Sequence, residues 1–125
     1  MGPSETHVEE LTQKFPDVSV VLRGEAGDVI KLPSVRLPAG WSKPSTDVFI
    51  VRPAGYPFAP PDCFWTDVDL RLADGRMPQN TGDSPIPGWP ERVLWFSWHC
   101  QQWNPNRDTL LSWLKVVEQR LMMAV

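Results

Sequence analysis

Cysteine and histidine are scarce in this chain: Cys63, Cys100, His7 and His99 are the whole supply among 125 residues. Two thiols cannot build the disulfide framework of a small secreted domain, so the expected setting is cytoplasmic, with both thiols reduced. Metal is not expected either. His99 and Cys100 alone fall short of the four protein ligands, or three plus water, that zinc takes, and His7 and Cys63 read as too isolated to complete a set. No other cofactor is implied. Long apolar runs are missing as well: nothing approaches the ~20 residues of a membrane-spanning helix. Residues 1–5, Met1-Gly2-Pro3-Ser4-Glu5, lack the basic and apolar regions of a signal peptide. Basic charge is thin, with 12 Lys and Arg against 15 Asp and Glu and a net charge of −3. A scattered basic set of this size offers no footprint for nucleic acid or an anionic membrane.

What the chain has in excess is proline, 14 residues, and tryptophan, 7. Apart from Pro3 and Pro16 the prolines lie between Pro33 and Pro105, so the middle should consist of short strands and shaped loops, and the ends should carry the helices. Residues 4–15 read as a helix, with Ser4 as candidate N-cap, Val8, Leu11 and Phe15 at helical spacing, and Pro16 as the stop. Strands follow at 18–23, at 29–37 with Pro33 at an edge or bulge, at 46–51 and at 62–66, with a Gly-Asp turn near Gly27-Asp28. Residues 72–90 read as a long loop without hydrophobic period, the kind of segment that is usually functional or mobile. An apolar, aromatic stretch at 93–100 leads into Asn104-Pro105, which can cap a short turn. Asp108 then caps a final helix with an apolar stripe of Leu110, Trp113 or Leu114, Val117 and Leu121. The length suits one domain, 1–125, and the order of elements gives an α+β class with a helix on one sheet face.

Two short segments carry a resemblance. Tyr56-Pro57-Phe58-Ala59-Pro60-Pro61 is similar to the Tyr-Pro-Phe, double-proline signature that follows the third strand of ubiquitin-conjugating enzymes. Trp103-Asn104-Pro105, with Asp108 five residues after the tryptophan, resembles the Trp-Ser-Pro step and helix cap after that family's active site. The order of elements from residue 4 to 121 agrees, without the extra C-terminal helices of the eukaryotic enzymes, and so resembles the bacterial ubiquitin-conjugating-like proteins. The resemblance implies a UBC-like fold: N-terminal helix, antiparallel strand meander, long active-site loop and a C-terminal helix packed on the sheet. It also implies a thioester-carrying transferase whose partners are a ubiquitin-like protein and an adenylating activating enzyme. The N-terminal helix would meet the activating enzyme, and the loops around Phe58 and Trp89 a target or ligase. The chain departs from the family at two points. The His-Pro-Asn tripeptide is absent, with Met77-Pro78-Gln79-Asn80 the nearest approach, and the family's cysteine position, eight residues before Trp103, holds Trp95. A catalytically inactive module that binds a ubiquitin-like protein is therefore the alternative.

Transthiolation needs a thiolate that both attacks a thioester and departs from one, and cysteine suits both steps. Cys100 is the candidate nucleophile: it stands beside His99, Gln101 and Gln102, just ahead of a helix start whose N–H groups favour negative charge. The same residue also fits a small apolar position in a Trp-rich core. Cys63, between Pro61 and Phe64-Trp65, reads as an inert core thiol. His99 is a possible support for the thiol, or else a hydrogen-bond donor to the backbone. Asn80 is the one nearby amide for an oxyanion, though Asn80-Thr81-Gly82 is also ordinary turn chemistry. Asp74, Asp83 and Asp108 all have turn or cap explanations. Trp95, Trp98, Trp103 and Trp113 read as core, whereas one or two of Trp41, Trp65 and Trp89 are candidates for exposure to a partner.

Overall fold

The computed structural model describes residues 3–125, with side chains from Glu5 onward. Helix α1 (Pro3–Lys14) precedes six strands, β1 (Ser19–Gly24), β2 (Gly27–Arg36), β3 (Ser45–Pro53), β4 (Phe64–Asp67), β5 (Thr81–Gly82) and β6 (Val93–Phe96), and helix α2 (Leu110–Leu121) closes the chain. The class is α+β. All pairings are antiparallel, and the strand order is β1-β2-β3-β4-β6-β5. The first four strands form the expected meander. The last two exchange places because β5 sits outside β6, pairing Thr81 with Phe96 and Gly82 with Trp95.

Side chains alternate across a strand, and here the alternation divides two cores. Ile30, Leu32, Val48, Ile50, Phe64, Leu94 and Phe96 face Leu11 of α1 and Leu110, Trp113, Leu114, Val117 and Leu121 of α2. Phe64 and Phe96, directly opposite in the β4–β6 ladder, stack with ring centroids 4.6 Å apart. Val29, Phe49, Trp65 and Val93 face the other way and are roofed by Ile86, with Trp89 against Phe49 at 5.8 Å. Residues 72–90 are thus not a structureless loop: Leu72 joins the first core, Thr81–Gly82 form β5, and Ile86 and Trp89 cover the second core. Trp65 donates its indole N–H to the Ser84 carbonyl at 2.8 Å, and Ser97 N–H bonds the Asn80 carbonyl at 2.7 Å.

Several boundaries move. Because α1 already begins at Pro3, Ser4 lies inside its first turn, and its side chain lies outside the described residues. The β1–β2 connection turns at Glu25-Ala26, with Gly24 paired to Gly27, so Gly27-Asp28 is strand rather than turn. Gly27 is required there: at φ 143° a Cβ would come within 2.5 Å of the Arg52 carbonyl. Pro33 falls at a bulge in β2, as its missing N–H demands, and Ser34 beside it has φ 54° with its N–H on Asp47. A second bulge puts Val21 out of register in β1. The cap of α2 is Thr109, not Asp108. Thr109 accepts from the Ser112 N–H, Ser112 returns a bond to the Thr109 N–H, and the Thr109 hydroxyl also reaches Glu10 of α1 at 2.9 Å. Asp108 instead accepts from the Asn104 N–H, while the Asn104 side chain caps its own turn by accepting from Asn106.

None of Trp41, Trp65 and Trp89 is exposed: the first two are 6% accessible, and Trp89 is packed in the second core. Trp41 donates to the Leu121 carbonyl at 2.8 Å. Arg120, 1% exposed, lies among the rings of Trp41, Phe96 and Trp98 at 5.2–5.9 Å and donates to the carbonyls of Gln79, Met123 and Val125. Burial holds its pKa below the usual arginine value.

Two stability measurements follow. Thr109→Ala removes the reciprocal cap and the tie to Glu10, and urea unfolding should show a loss of about 1 kcal/mol. Arg120→Met keeps the volume but leaves three carbonyls without their charged donor, and should lose about 3 kcal/mol or more.

Candidate functional site

The two segments that carry the resemblance touch each other. Trp103 donates its indole N–H to the Pro57 carbonyl at 2.7 Å, and its ring meets Tyr56 at 6.0 Å. Tyr56 is half-buried, its hydroxyl 2.5 Å from His7 Nδ1 in α1, and burial pushes its pKa well above the ordinary phenol value. His7 is thereby committed to structure. The Tyr-Pro-Phe turn, Trp103 in the segment ahead of α2, and α1 are joined at one point, which fixes where residues 97–103 cross the molecule. Phe58, next in the turn, is 80% exposed.

Beyond β6 the chain leaves the ladder and lines a groove of about 580 Å³ with α2. The groove takes in Asn80, Ser97, His99, Cys100, Gln101 and Gln102 on one side and Asp108, Ser112, Trp113 and Gln119 on the other. Cys100, His99 and Asn80, the three residues singled out from the sequence, therefore share one concavity. Cys100 is partly buried, while His99 and Asn80 are exposed. Asn80 has φ 61°, a left-handed conformation that asparagine tolerates better than most residues. Its place is set from both sides, by the Ser97 bond to its carbonyl and by Arg120 and Val125 holding Gln79.

Cys63 is buried at 8% exposure, as a core thiol would be, but it is not isolated. Its N–H bonds the Trp98 carbonyl at 2.8 Å, and a donor atom from each of Asp62, Cys63 and His99 lies within 4.8 Å of the others. Desolvation raises the Cys63 pKa, opposed by hydrogen bonds from the Trp95 side chain and the Trp98 backbone. His99 Nδ1 lies 2.6 Å from Asp62 Oδ1, and His99 Nε2 lies 3.4 Å from Ser97 Oγ. The expectation that Cys63 was too isolated to complete a ligand set is corrected: β4 and β6 are neighbours, and their continuations bring residues 62–63 against 98–99. Asp62 and Ser97 were missed from sequence. Ser97 and His99 had a readable signal, since residues two apart on extended backbone share a face; Asp62 had none. Asp74 binds Arg76, and Asp108 serves the Asn104 turn, whereas Asp83 sits in the cover over the second core.

Among the described residues no helix is long and apolar enough to cross a membrane. The chain matches no curated protein and no solved structure. It does match a family model, described as Prokaryotic E2 family E, over residues 6–124. That span includes both signature segments, the groove and all but the last residue of the carboxyl end, and so the chain belongs to the prokaryotic E2 family.

Proposed function

We propose that this chain is a conjugating enzyme that carries a ubiquitin-like protein as a thioester on Cys100. The observation that supports it is the placing of Cys100, partly accessible, in the groove that also takes in His99 and Asn80. Family membership supports conjugation in general, and the groove around Cys100 supports the choice of this sulfur.

In the first step the Cys100 thiolate attacks the carbonyl carbon of the thioester held by an adenylating activating enzyme. The tetrahedral adduct collapses and releases that enzyme's cysteine thiolate. In the second step an amine or hydroxyl of the target attacks the new thioester, gives up its proton to solvent, and the Cys100 thiolate departs. Asn80 donates its amide to the oxyanion, a contribution of about 2.7–4 kcal/mol for a well-placed donor. His99, held by Asp62, flanks the thiol as a polar support. The modifier's tail lies in the groove between Gln101-Gln102 and α2, with α1 offered to the activating enzyme and exposed Phe58 to a target or ligase. Trp89 drops out of that last surface, being packed on Phe49.

One observation favours a second reading, a catalytically inactive module that binds a ubiquitin-like protein. The family's cysteine position is Trp95, which packs against the second core, and no His-Pro-Asn tripeptide accompanies it.

The two part in a single assay. The chain is mixed with ATP and with a ubiquitin-like protein and activating enzyme from its own gene neighbourhood, then run on a non-reducing gel. The conjugating reading expects a thiol-sensitive band that Cys100→Ala abolishes and Cys63→Ala retains, with Cys100→Ser leaving a thiol-resistant oxyester. Binding without any adduct leaves the inactive module. Brief iodoacetamide treatment of the folded chain should label Cys100 and spare buried Cys63 by peptide mass spectrometry; equal labelling would contradict the accessibility on which the thioester rests.

A further inference from the structure

We infer that Asp62, Cys63 and His99 form a binding site for a divalent cation of the zinc class, with one coordination position open to solvent. This goes beyond the thioester reading and does not rest on it.

Adjacent side chains on an extended strand point to opposite faces, so Asp62 and Cys63 should diverge. They do not, because Cys63 has φ 62°, and this left-handed residue just before β4 turns the sulfur and the preceding carboxylate toward one place. The Cys63 N–H bond to the Trp98 carbonyl then sets His99 opposite both. The result is one thiol, one carboxylate and one imidazole, with donor atoms all within 4.8 Å. Zinc bonds of 2.0–2.3 Å in a tetrahedron put ligand atoms roughly 3.3–3.8 Å apart. The widest separation must close by about 1 Å, and the Nδ1–Oδ1 pair, 2.6 Å apart, must open by slightly less. Both changes are within reach of side-chain rotation, because the Asp62 and His99 side chains are 60% and 55% exposed.

The surroundings fit a ligating role. His99 presents Nδ1 to Asp62, and its other nitrogen faces Ser97 Oγ, an arrangement that orients metal-bound imidazoles. Binding through Nδ1 requires the ring proton on Nε2, toward Ser97, and releases the thiol proton to solvent. A sulfur, nitrogen and oxygen set selects Zn²⁺ or Co²⁺ over Mg²⁺ or Ca²⁺. Three protein ligands match sites that keep a water or an incoming group rather than closed structural ones. The buried sulfur forms the floor, and the exposed pair forms the rim.

Co²⁺ titration of the chelator-treated full chain tests this by absorption spectroscopy. The expected result is saturation at one equivalent, with a near-ultraviolet sulfur-to-cobalt band, visible bands of a four-coordinate ion, and displacement by Zn²⁺. Cys63→Ser should remove the charge-transfer band, His99→Ala and Asp62→Ala should each weaken binding tenfold or more, and Cys100→Ala should leave the spectrum unchanged. If Cys63→Ser fails to fold, the two exposed positions still decide the matter, with circular dichroism as the check on folding. Three outcomes overturn the proposal: binding only at millimolar metal, affinity unmoved in His99→Ala and Asp62→Ala, or a sulfur band that survives Cys63→Ser and vanishes in Cys100→Ala. Because the thioester assay reads Cys100 and this one reads Cys63, either result can fail while the other stands.

Discussion

Among the described residues, a buried arginine held by carbonyls and aromatic rings, rather than by a carboxylate, sits at the centre of this molecule. Removing the Arg120 guanidinium from water costs several kcal/mol in a real protein. Three carbonyl acceptors offset that cost at roughly 1.5–3 kcal/mol each for charged hydrogen bonds, and three aromatic rings add smaller cation–π terms. The balance is favourable only while all of them are in place. Those acceptors come from Gln79 in the cover segment and from Met123 and Val125 beyond α2, and the rings come from Trp41, Phe96 and Trp98. One side chain therefore ties the groove's Asn80 edge, its Trp98 floor and the end of the chain into one unit.

The second tie runs through Tyr56, Pro57 and Trp103. Two sequence segments nearly fifty residues apart look like independent signatures, yet in three dimensions they are the two halves of one contact. Pro57 lies in the turn after β3, outside the strand ladder, and Trp103 donates to its carbonyl. The aromatic pair anchors the far end of residues 97–103, whose near end is anchored by β6. A segment fixed at both ends can hold Cys100 and His99 at a defined edge of the groove without being regular structure itself.

Much of the fold was legible because one period governs each element. Val29, Phe49 and Val51 alternate with Ile30, Leu32, Val48 and Ile50, and the strands follow from that pattern alone. The α2 stripe was readable for the same reason, with both Trp113 and Leu114 buried rather than one of them. The roof over the second sheet face was not legible. Ile86 and Trp89 are single apolar residues among prolines and glycines, and a segment that packs through two isolated anchors has no period to detect. The cap shifted by one residue because Asp108 and Thr109 are both good capping residues, and what separates them, the reciprocal bonds of Thr109 with Ser112, its reach to Glu10 and the use of Asp108 by the Asn104 turn, is three-dimensional. Cys100, His99 and Asn80 were singled out through residue chemistry and a family likeness, and they line one groove. Asp62 and Cys63 were not joined to His99, since their meeting depends on β4 lying beside β6 and on one left-handed residue.

The bulge at Val21 bears on how other proteins can approach. β1 is one rim of the sheet, and the extra residue twists its ladder out of register halfway along, close to Gly24. The opposite rim, β5, is only two residues long. Neither rim is a good template for a foreign strand, so this sheet is ill suited to recruiting a visitor by backbone extension. Recognition must instead be written in side chains on its helices and turns, where single substitutions can retune which visitor is accepted.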